Sequence, residues 1–301
     1  MSGAEGAGKN PAMRKVVVFV NPHSGTAADA ASELVSRVPG LQVEECEPAD
    51  LAACARAAID DGAEVVGVVG GDGTFAAAAG VLADGEVPLL PVPGGTLNHF
   101  ARANGLSGAD QVVAALEQDE VRRVDLGWVS NRPFLNNASI GWYPQMLRRK
   151  ERLERWLPRR LARFAAFAIE LPRAHRFAVE VAGETLPAWL TFIGNGRYGT
   201  TASSVGERDD LADGVLDVRI ARTDAAWARL RLAARIVLGD MEDSPLLERV
   251  VCQEIVVMVG RSARVHVALD GELMRLPNPL RFTVRPSSLP VLAPAPSGSV
   301  A

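Results

Sequence analysis

The chain has 301 residues, 48% of them hydrophobic and 23% charged, with 32 Lys and Arg against 36 Asp and Glu and a net charge of −4. That length allows two domains, and the acidic balance excludes a globally basic nucleic-acid binder. No apolar run reaches the roughly 18 residues of a membrane span and the first residues lack the apolar core of a signal peptide, so membrane contact is expected to be peripheral at most. The cysteines Cys46, Cys54 and Cys252 and the four histidines have no metal-ligand spacing. The cysteines are expected to be reduced thiols in a cytoplasmic protein.

Residues 1–13 are small, polar and rich in Gly and Ala, and are expected to be a disordered tail. From residue 14 to 123 short apolar runs alternate with helical patterns. Strands are predicted at Val16–Val20, Leu41–Glu45, Val65–Val69 and Leu89–Val92. Helices are predicted at Ala27–Arg37, Leu51–Asp60, Ala76–Leu82, Leu97–Asn104 and Ala109–Gln118. Such alternation implies a doubly wound α/β domain with a parallel sheet, whose ligand site lies in the loops at the carboxyl ends of the strands. Three loops directly follow strands: Asn21-Pro22-His23-Ser24-Gly25, Gly70-Gly71-Asp72-Gly73-Thr74 and Pro93-Gly94-Gly95-Thr96.

The second loop is the most informative. A buried strand ends in glycines whose backbone N–H groups face outward at a helix N-terminus, and free donors there together with the helix dipole favour phosphate. Asp72 is unusual, because a carboxylate in a phosphate loop repels the ligand unless it handles a cation or a proton. The pattern Gly71-x-Gly73-x-x-Ala76 formally fits a dinucleotide fingerprint, but the next strand ends in Pro93-Gly94-Gly95-Thr96 without the acid that would hold a ribose. No Gly-Lys-Ser/Thr follows the glycines either, which excludes a P-loop. Phosphoryl transfer is the expected chemistry.

From 124 to 285 the pattern is β-rich, with runs at Phe177–Val181, Leu186–Ile193, Val215–Ile220, Val250–Val259, Val265–Leu269 and Leu280–Val284. It predicts a mostly antiparallel sandwich or barrel, interrupted by helices near 147–171 and 224–238, with Pro158 kinking or restarting the first. The Pro- and Ser-rich stretch 286–301 is expected to be a second disordered tail.

Four motifs together resemble the diacylglycerol kinase catalytic-domain family, which includes bacterial lipid kinases and sphingosine kinases. They are Asn21-Pro22-x-Ser24-Gly25, Gly70-Gly71-Asp72-Gly73-Thr74, the Gly95-Thr96-Leu97-Asn98-His99-Phe100-Ala101 segment and Leu269-Asp270-Gly271-Glu272. The chain departs from the family pattern at His99, where Asp is usual, and at Ala76, where Asn is usual. The resemblance implies an ATP- and Mg2+-dependent lipid kinase with Asn21, Ser24, Gly25, Gly70, Gly71, Gly73, Thr74, Gly95, Thr96 and Asn98 around the nucleotide. Asp270 and Glu272 would return to the cleft from the second domain, and one of Asp72, Asp270 and Glu272 would be the general base. Asp270-Gly271 also reads as a plain type I′ turn. The acidic run Asp209-Asp210-Leu211-Ala212-Asp213-Gly214-Val215-Leu216-Asp217 resembles a family segment whose Mg2+ ligands would be Asp210, Asp213 and the carbonyl of Val215, against a solvated turn as the alternative.

Between Leu147 and Arg176 ten Arg and Lys face three Glu, and Leu153, Trp156, Leu157, Leu161, Phe164, Ala168 and Leu171 recur at helical spacing. A basic amphipathic helix of this kind suits the anionic inner face of a membrane, and equally a helix covering the β-domain. The partners expected are therefore a lipid substrate at a membrane surface and, in addition, a second copy in a homodimer. Two competing functions stay open: a NAD kinase, whose related architecture shares Gly-Gly-Asp-Gly, and a non-catalytic lipid- or nucleotide-binding module.

Overall fold

The computed structural model describes residues 14–21, 23, 25–95, 98–181, 183–199, 208, 210–222, 226–237 and 247–295. Of the residues singled out above, Pro22, Ser24, Thr96, Leu97 and Asp209 lie outside these, as do residues 1–13 and 296–301 of the two expected tails.

The first half runs β1 (Val16–Val20), α1 (Gly25–Arg37), β2 (Gln42–Glu45), α2 (Leu51–Asp60), β3 (Val65–Gly70), α3 (Asp72–Leu82), β4 (Leu89–Pro93), α4 (His99–Ala103) and α5 (Ala109–Gln118). The strands are parallel in the order β2-β1-β3-β4. All six residues of β3 are buried, which explains its unbroken apolar sequence. The helices pair off, α1 with α5 and α2 with α3, as a doubly wound sheet requires.

The second half adds β5 (Val121–Val129), β6 (Arg132–Phe134), β7 (Asn137–Gly141), α6 (Trp142–Leu153), α7 (Arg159–Glu170), β8 (Phe177–Val181), β9 (Glu184–Ala188), β10 (Leu190–Asn195), β11 (Leu216–Ala221), α8 (Ala226–Val237), β12 (Leu247–Cys252), β13 (Glu254–Met258), β14 (Arg264–Leu269), β15 (Glu272–Pro277) and β16 (Leu280–Leu292). One sheet, in the order β12-β11-β10-β7-β14-β15, is wholly antiparallel. The other extends the parallel sheet through β4-β16-β13-β8-β9, with β5 and β6 branching from β16. The sandwich core lies between the sheets, around Phe134, Ile140, Ile193, Val218, Val267 and Phe282. Two predicted strands are each broken by one residue. Leu186–Ile193 divides at Trp189 and Val250–Val259 at Gln253, and in both cases the two halves belong to different sheets. Such a corner lets a strand leave one layer of a sandwich for the other.

The expected tail after Pro286 is corrected in its first part. β16 continues to Leu292, and Leu289 and Val291 are fully buried. Pro286-Ser287-Ser288 looks like a chain breaker but forms an irregularity between Arg285 and Leu289, with Ser287 at φ 48° and its N–H donated to Asp125 at 2.7 Å. Beyond it Val291 pairs with Leu89 of β4, so this strand stitches the two halves into one sheet.

The expected reduced state of the cysteines is corrected as well. Cys46, just past β2, and Cys54, in the first turn of α2, form a disulfide. A screen for metal spacing says nothing about two thiols brought together by a strand-to-helix turn. Cys252 is a free thiol whose pKa burial pushes up. Among the described residues no helix is long and apolar enough to cross a membrane.

Candidate active site

The three loops after β1, β3 and β4 converge, and their glycines set how closely. A Cβ on Gly95 would lie 2.8 Å from the Gly71 Cα, and one on Gly94 would lie 3.2 Å from the Ala27 Cα. Neither glycine has a positive φ, so it is close approach rather than backbone conformation that demands them. Thr26 donates its hydroxyl to the Gly94 carbonyl at 2.8 Å, and the Gly94 N–H donates to the Gly70 carbonyl at 2.9 Å. Gly71 is the N-cap of α3, which leaves the first N–H groups of the helix without intrahelical acceptors. Such a terminus favours an anion, in geometry and in dipole.

Two of the expected nucleotide residues shape the loops. Asn98 is buried in the left-handed region at φ 52°, and it clamps Gly95 by accepting its N–H at 3.0 Å and donating to its carbonyl at 2.8 Å. Asn21 accepts the His23 N–H at 2.9 Å and so turns the first loop toward α1. His99 is exposed at the start of α4, and Ala76 is buried in α3.

Asp72 does not project into open space. Its Oδ2 accepts the His99 N–H at 3.1 Å and its Oδ1 accepts the Phe100 N–H at 2.9 Å, so a residue of α3 caps α4. The contact ties the second glycine loop to the third. Asp72→Asn is therefore expected to lower stability by about 1 kcal/mol, the typical worth of a cap, and to raise the KM for nucleotide. Unchanged thermal stability with turnover down by orders of magnitude would instead give Asp72 a chemical role.

Asp270 and Glu272 come from the hairpin joining β14 and β15. Asp270 and Gly271 have φ of 46° and 85° between the paired Leu269 and Glu272, so the two-residue turn of the local reading exists. It also builds the site. The Asp270 carboxylate accepts N–H groups from Leu135 at 2.8 Å, Asn136 at 2.8 Å and Asn137 at 3.1 Å. Burial first, and the charge of Asp72 to a smaller extent, push its pKa up from 3.8 to about 6 against the lowering effect of these donors. Glu272 lies over the start of α3, where a Cβ on Gly73 would collide with its carboxylate. Gly73, Thr74, Arg132, Asp270 and Glu272 line one cavity of about 200 Å³. The second half thus delivers two acids to the glycine loop of the first.

Sequence reading missed three residues here. Arg132 brings a cation to the cavity from the start of β6, a three-residue strand that carries no motif. Arg208 donates to the carbonyls of Leu135 at 2.9 Å and Asn195 at 2.7 Å and to Asn136 Oδ1 at 3.2 Å. The peptide between Leu135 and Asn136 therefore accepts from a guanidinium on one side and donates to Asp270 on the other, an arrangement in which each bond polarises the next. Asp125 accepts the N–H groups of Gly214 at 2.6 Å and Ser287 at 2.7 Å. It joins β5, β16 and the acidic turn, a long-range role with no local signal.

The expected ligands of the acidic turn already have protein partners. Asp210 accepts the Ala212 N–H at 2.8 Å, Asp213 accepts the Arg197 N–H at 2.9 Å and pairs with its guanidinium at 3.4 Å, and the Val215 carbonyl accepts the Gly196 N–H at 2.9 Å. Among the described residues no group of three or more His, Cys, Asp or Glu is arranged to hold a metal. The oxygen donors suit a hard cation, and the negative crowding is real: the Asp125 pKa is raised by burial first and then by Asp213 and Asp210.

A doubly wound α/β domain, an antiparallel sandwich and a glycine-lined helix start faced by two acids suit phosphoryl transfer. Residues 15–129 match the family model of the diacylglycerol kinase catalytic domain, and residues 147–293 match that of the YegS C-terminal NAD kinase beta sandwich-like domain. The chain is 32% identical over 238 residues to a protein of Pseudomonas aeruginosa (strain UCBPP-PA14) named as a probable YegS-like lipid kinase, covering 76% of each. It is 29% identical over 299 residues to a diacylglycerol kinase of Mycobacterium tuberculosis (strain ATCC 25618 / H37Rv), covering 93% of this chain and 95% of that one. A crystal structure of a diacylglycerol kinase from Bacillus anthracis str. Sterne shares the fold, with a TM-score of 0.63 at 20% identity over 93% of this chain and 97% of that one. The chain belongs to the diacylglycerol kinase family of lipid kinases, and its likeness to NAD kinases is a matter of the C-terminal sandwich fold.

Proposed function

We propose that this kinase transfers the γ-phosphate of ATP to the hydroxyl of a diacylglycerol-like or sphingoid-like lipid. The observation that carries the reading is the placing of Asp270 and Glu272, from one half of the chain, over the glycine cradle of the other. The N–H groups at the start of α3 bind the phosphates, the side-chain-free Gly94-Gly95 turn leaves room for them to approach, and Arg132 neutralises charge at the cavity wall. Asp270 accepts the proton of the attacking hydroxyl. Its three N–H donors fix its orientation, and a pKa of about 6 leaves it ionised near neutrality yet basic enough to share a proton. Glu272 faces the phosphates, where it suits their accompanying Mg2+, a cation that neutralises the charge developing on the transferred group. The need for ATP places the enzyme in the cytoplasm, with peripheral contact at the inner membrane face where the acceptor resides.

Asp210, Asp213 and the Val215 carbonyl are the candidate holders of a second, structural Mg2+. Adding Mg2+ is expected to raise the melting temperature of the wild type and to do so less in Asp213→Asn; equal shifts in both would remove the cation from this turn. For the function itself, incubation with labelled ATP, Mg2+, a panel of lipids and NAD is expected to put label in the lipid phase. Label in NAD instead would make the protein a NAD kinase, and nucleotide binding without transfer would make it a binding module.

A further inference from the structure

Helix α7 is turned inside out for a surface helix. It buries its small residues Ala162 and Ala166 completely, while Leu161 is 56% and Phe164 69% exposed. Trp156, just ahead of it, is 85% exposed. Helix α8 repeats the pattern, with Leu232 and Ala233 inside and Trp227 71% exposed. The two helices meet across a cavity of about 810 Å³ lined by Phe164, Phe167 and Leu230 together with Arg159, Arg160 and Arg163. Exposed aromatic residues on and beside the two helices mark a contact surface.

Charge identifies what the surface meets. On α6, Arg149 pairs with Glu170 at 2.7 Å, Lys150 with Glu154 at 3.2 Å, and Arg148 lies 3.2 Å from His266. Glu154 and Glu170 are thereby taken, while Glu151 is exposed. Arg159, Arg160 and Arg163 are exposed and make no ion pair with a described residue. A two-fold dimer through this face would set each copy's arginines against the same arginines of the other. An anionic surface would pair with them.

We infer that the α7–α8 face seats the enzyme on a bilayer of anionic phospholipid, with Trp156, Phe164 and Trp227 entering the boundary between headgroups and acyl chains and Arg159, Arg160 and Arg163 binding lipid phosphates. The inference rests on the lipid-kinase reading only in giving the enzyme a reason to be at a membrane. The sequence pattern singled out the basic segment as a whole; the structure picks out Arg159, Arg160 and Arg163 of α7 within it and adds α8, whose exposed Trp227 lies outside that segment. Aromatic anchors on a basic helical face are the elements of interfacial binding.

Co-sedimentation without ATP, using vesicles of phosphatidylcholine alone and of phosphatidylcholine mixed with phosphatidylglycerol, tests the inference. The wild type should pellet with the mixed vesicles and be released by salt. Arg159→Gln/Arg160→Gln/Arg163→Gln should bind about a hundredfold more weakly, at roughly 1 kcal/mol per charge, and Trp156→Ala/Phe164→Ala/Trp227→Ala should also lose binding. Both variants should keep the wild-type circular dichroism and should phosphorylate a short-chain soluble lipid at the wild-type rate. Unchanged vesicle binding, binding insensitive to salt, or a wild-type dimer that the aromatic variant splits would overturn the inference. Absence of lipid phosphorylation in the wild type, with vesicle binding intact and lost in the variants, would sink the kinase reading and leave the docking face standing.

Discussion

Asp270→Asn is expected to cut turnover by about 10² to 10⁴, the usual share of a general base, with ATP affinity little changed. Asn suits the left-handed backbone of the β14–β15 turn, and its carbonyl can still accept the Asn136 and Asn137 N–H groups, so the hairpin should persist. The base must be ionised, so wild-type kcat/KM should fall tenfold per unit as pH drops below about 6, the value to which burial lifts this carboxyl. The stability consequence has the opposite sign. A folded-state pKa above the unfolded value of about 3.8 means that the folded protein binds this proton more tightly. That contribution is complete below the unfolded pKa and is lost as pH rises through about 6. The asparagine variant should therefore gain stability relative to the wild type across this window. Full activity in the variant, or a flat acid limb in the wild type, would transfer the role to Glu272.

Gly95→Val carries the second large effect. A side chain there would begin 2.8 Å from the Gly71 Cα and 2.9 Å from the Asn98 Oδ1. Backbone cannot move aside as a side-chain tip can, so the Gly70 and Gly94 loops must separate. The α3 N-terminus and the Gly94-Gly95 turn could then no longer hold one phosphate chain, and ATP should bind about a hundredfold or more weakly by calorimetry, an effect of the size expected when a pre-organised anion cradle is lost. Unchanged affinity in a folded variant would put the nucleotide elsewhere.

The first half was legible because its strands and helices are local signals: unbroken apolar runs for buried parallel strands and glycine turns at their carboxyl ends. Every predicted strand of that half is present, and α2 and α5 have the bounds their periodicity suggests. What escaped was decided at long range. Leu289 and Val291 pair with residues far earlier in the chain, and the nearby Pro and Ser hid them. The corners at Trp189 and Gln253 are invisible to a period-2 pattern that continues through them. In the site, the glycine loops and the Asp270-Gly271-Glu272 turn were readable as motifs. Their roles were less so: nothing local says that Asp72 caps another helix, that Asn98 folds its own loop, or that Arg208 backs the peptides holding Asp270.

The most direct test of the shared site is a crystal structure with a non-hydrolysable ATP analogue and Mg2+. The account predicts the phosphate chain on the α3 N-terminus and the Gly94-Gly95 turn, with its terminal phosphate directed at Asp270 and Glu272. A nucleotide bound well away from these acids, with the cavity beside Arg132 left to solvent, would contradict it.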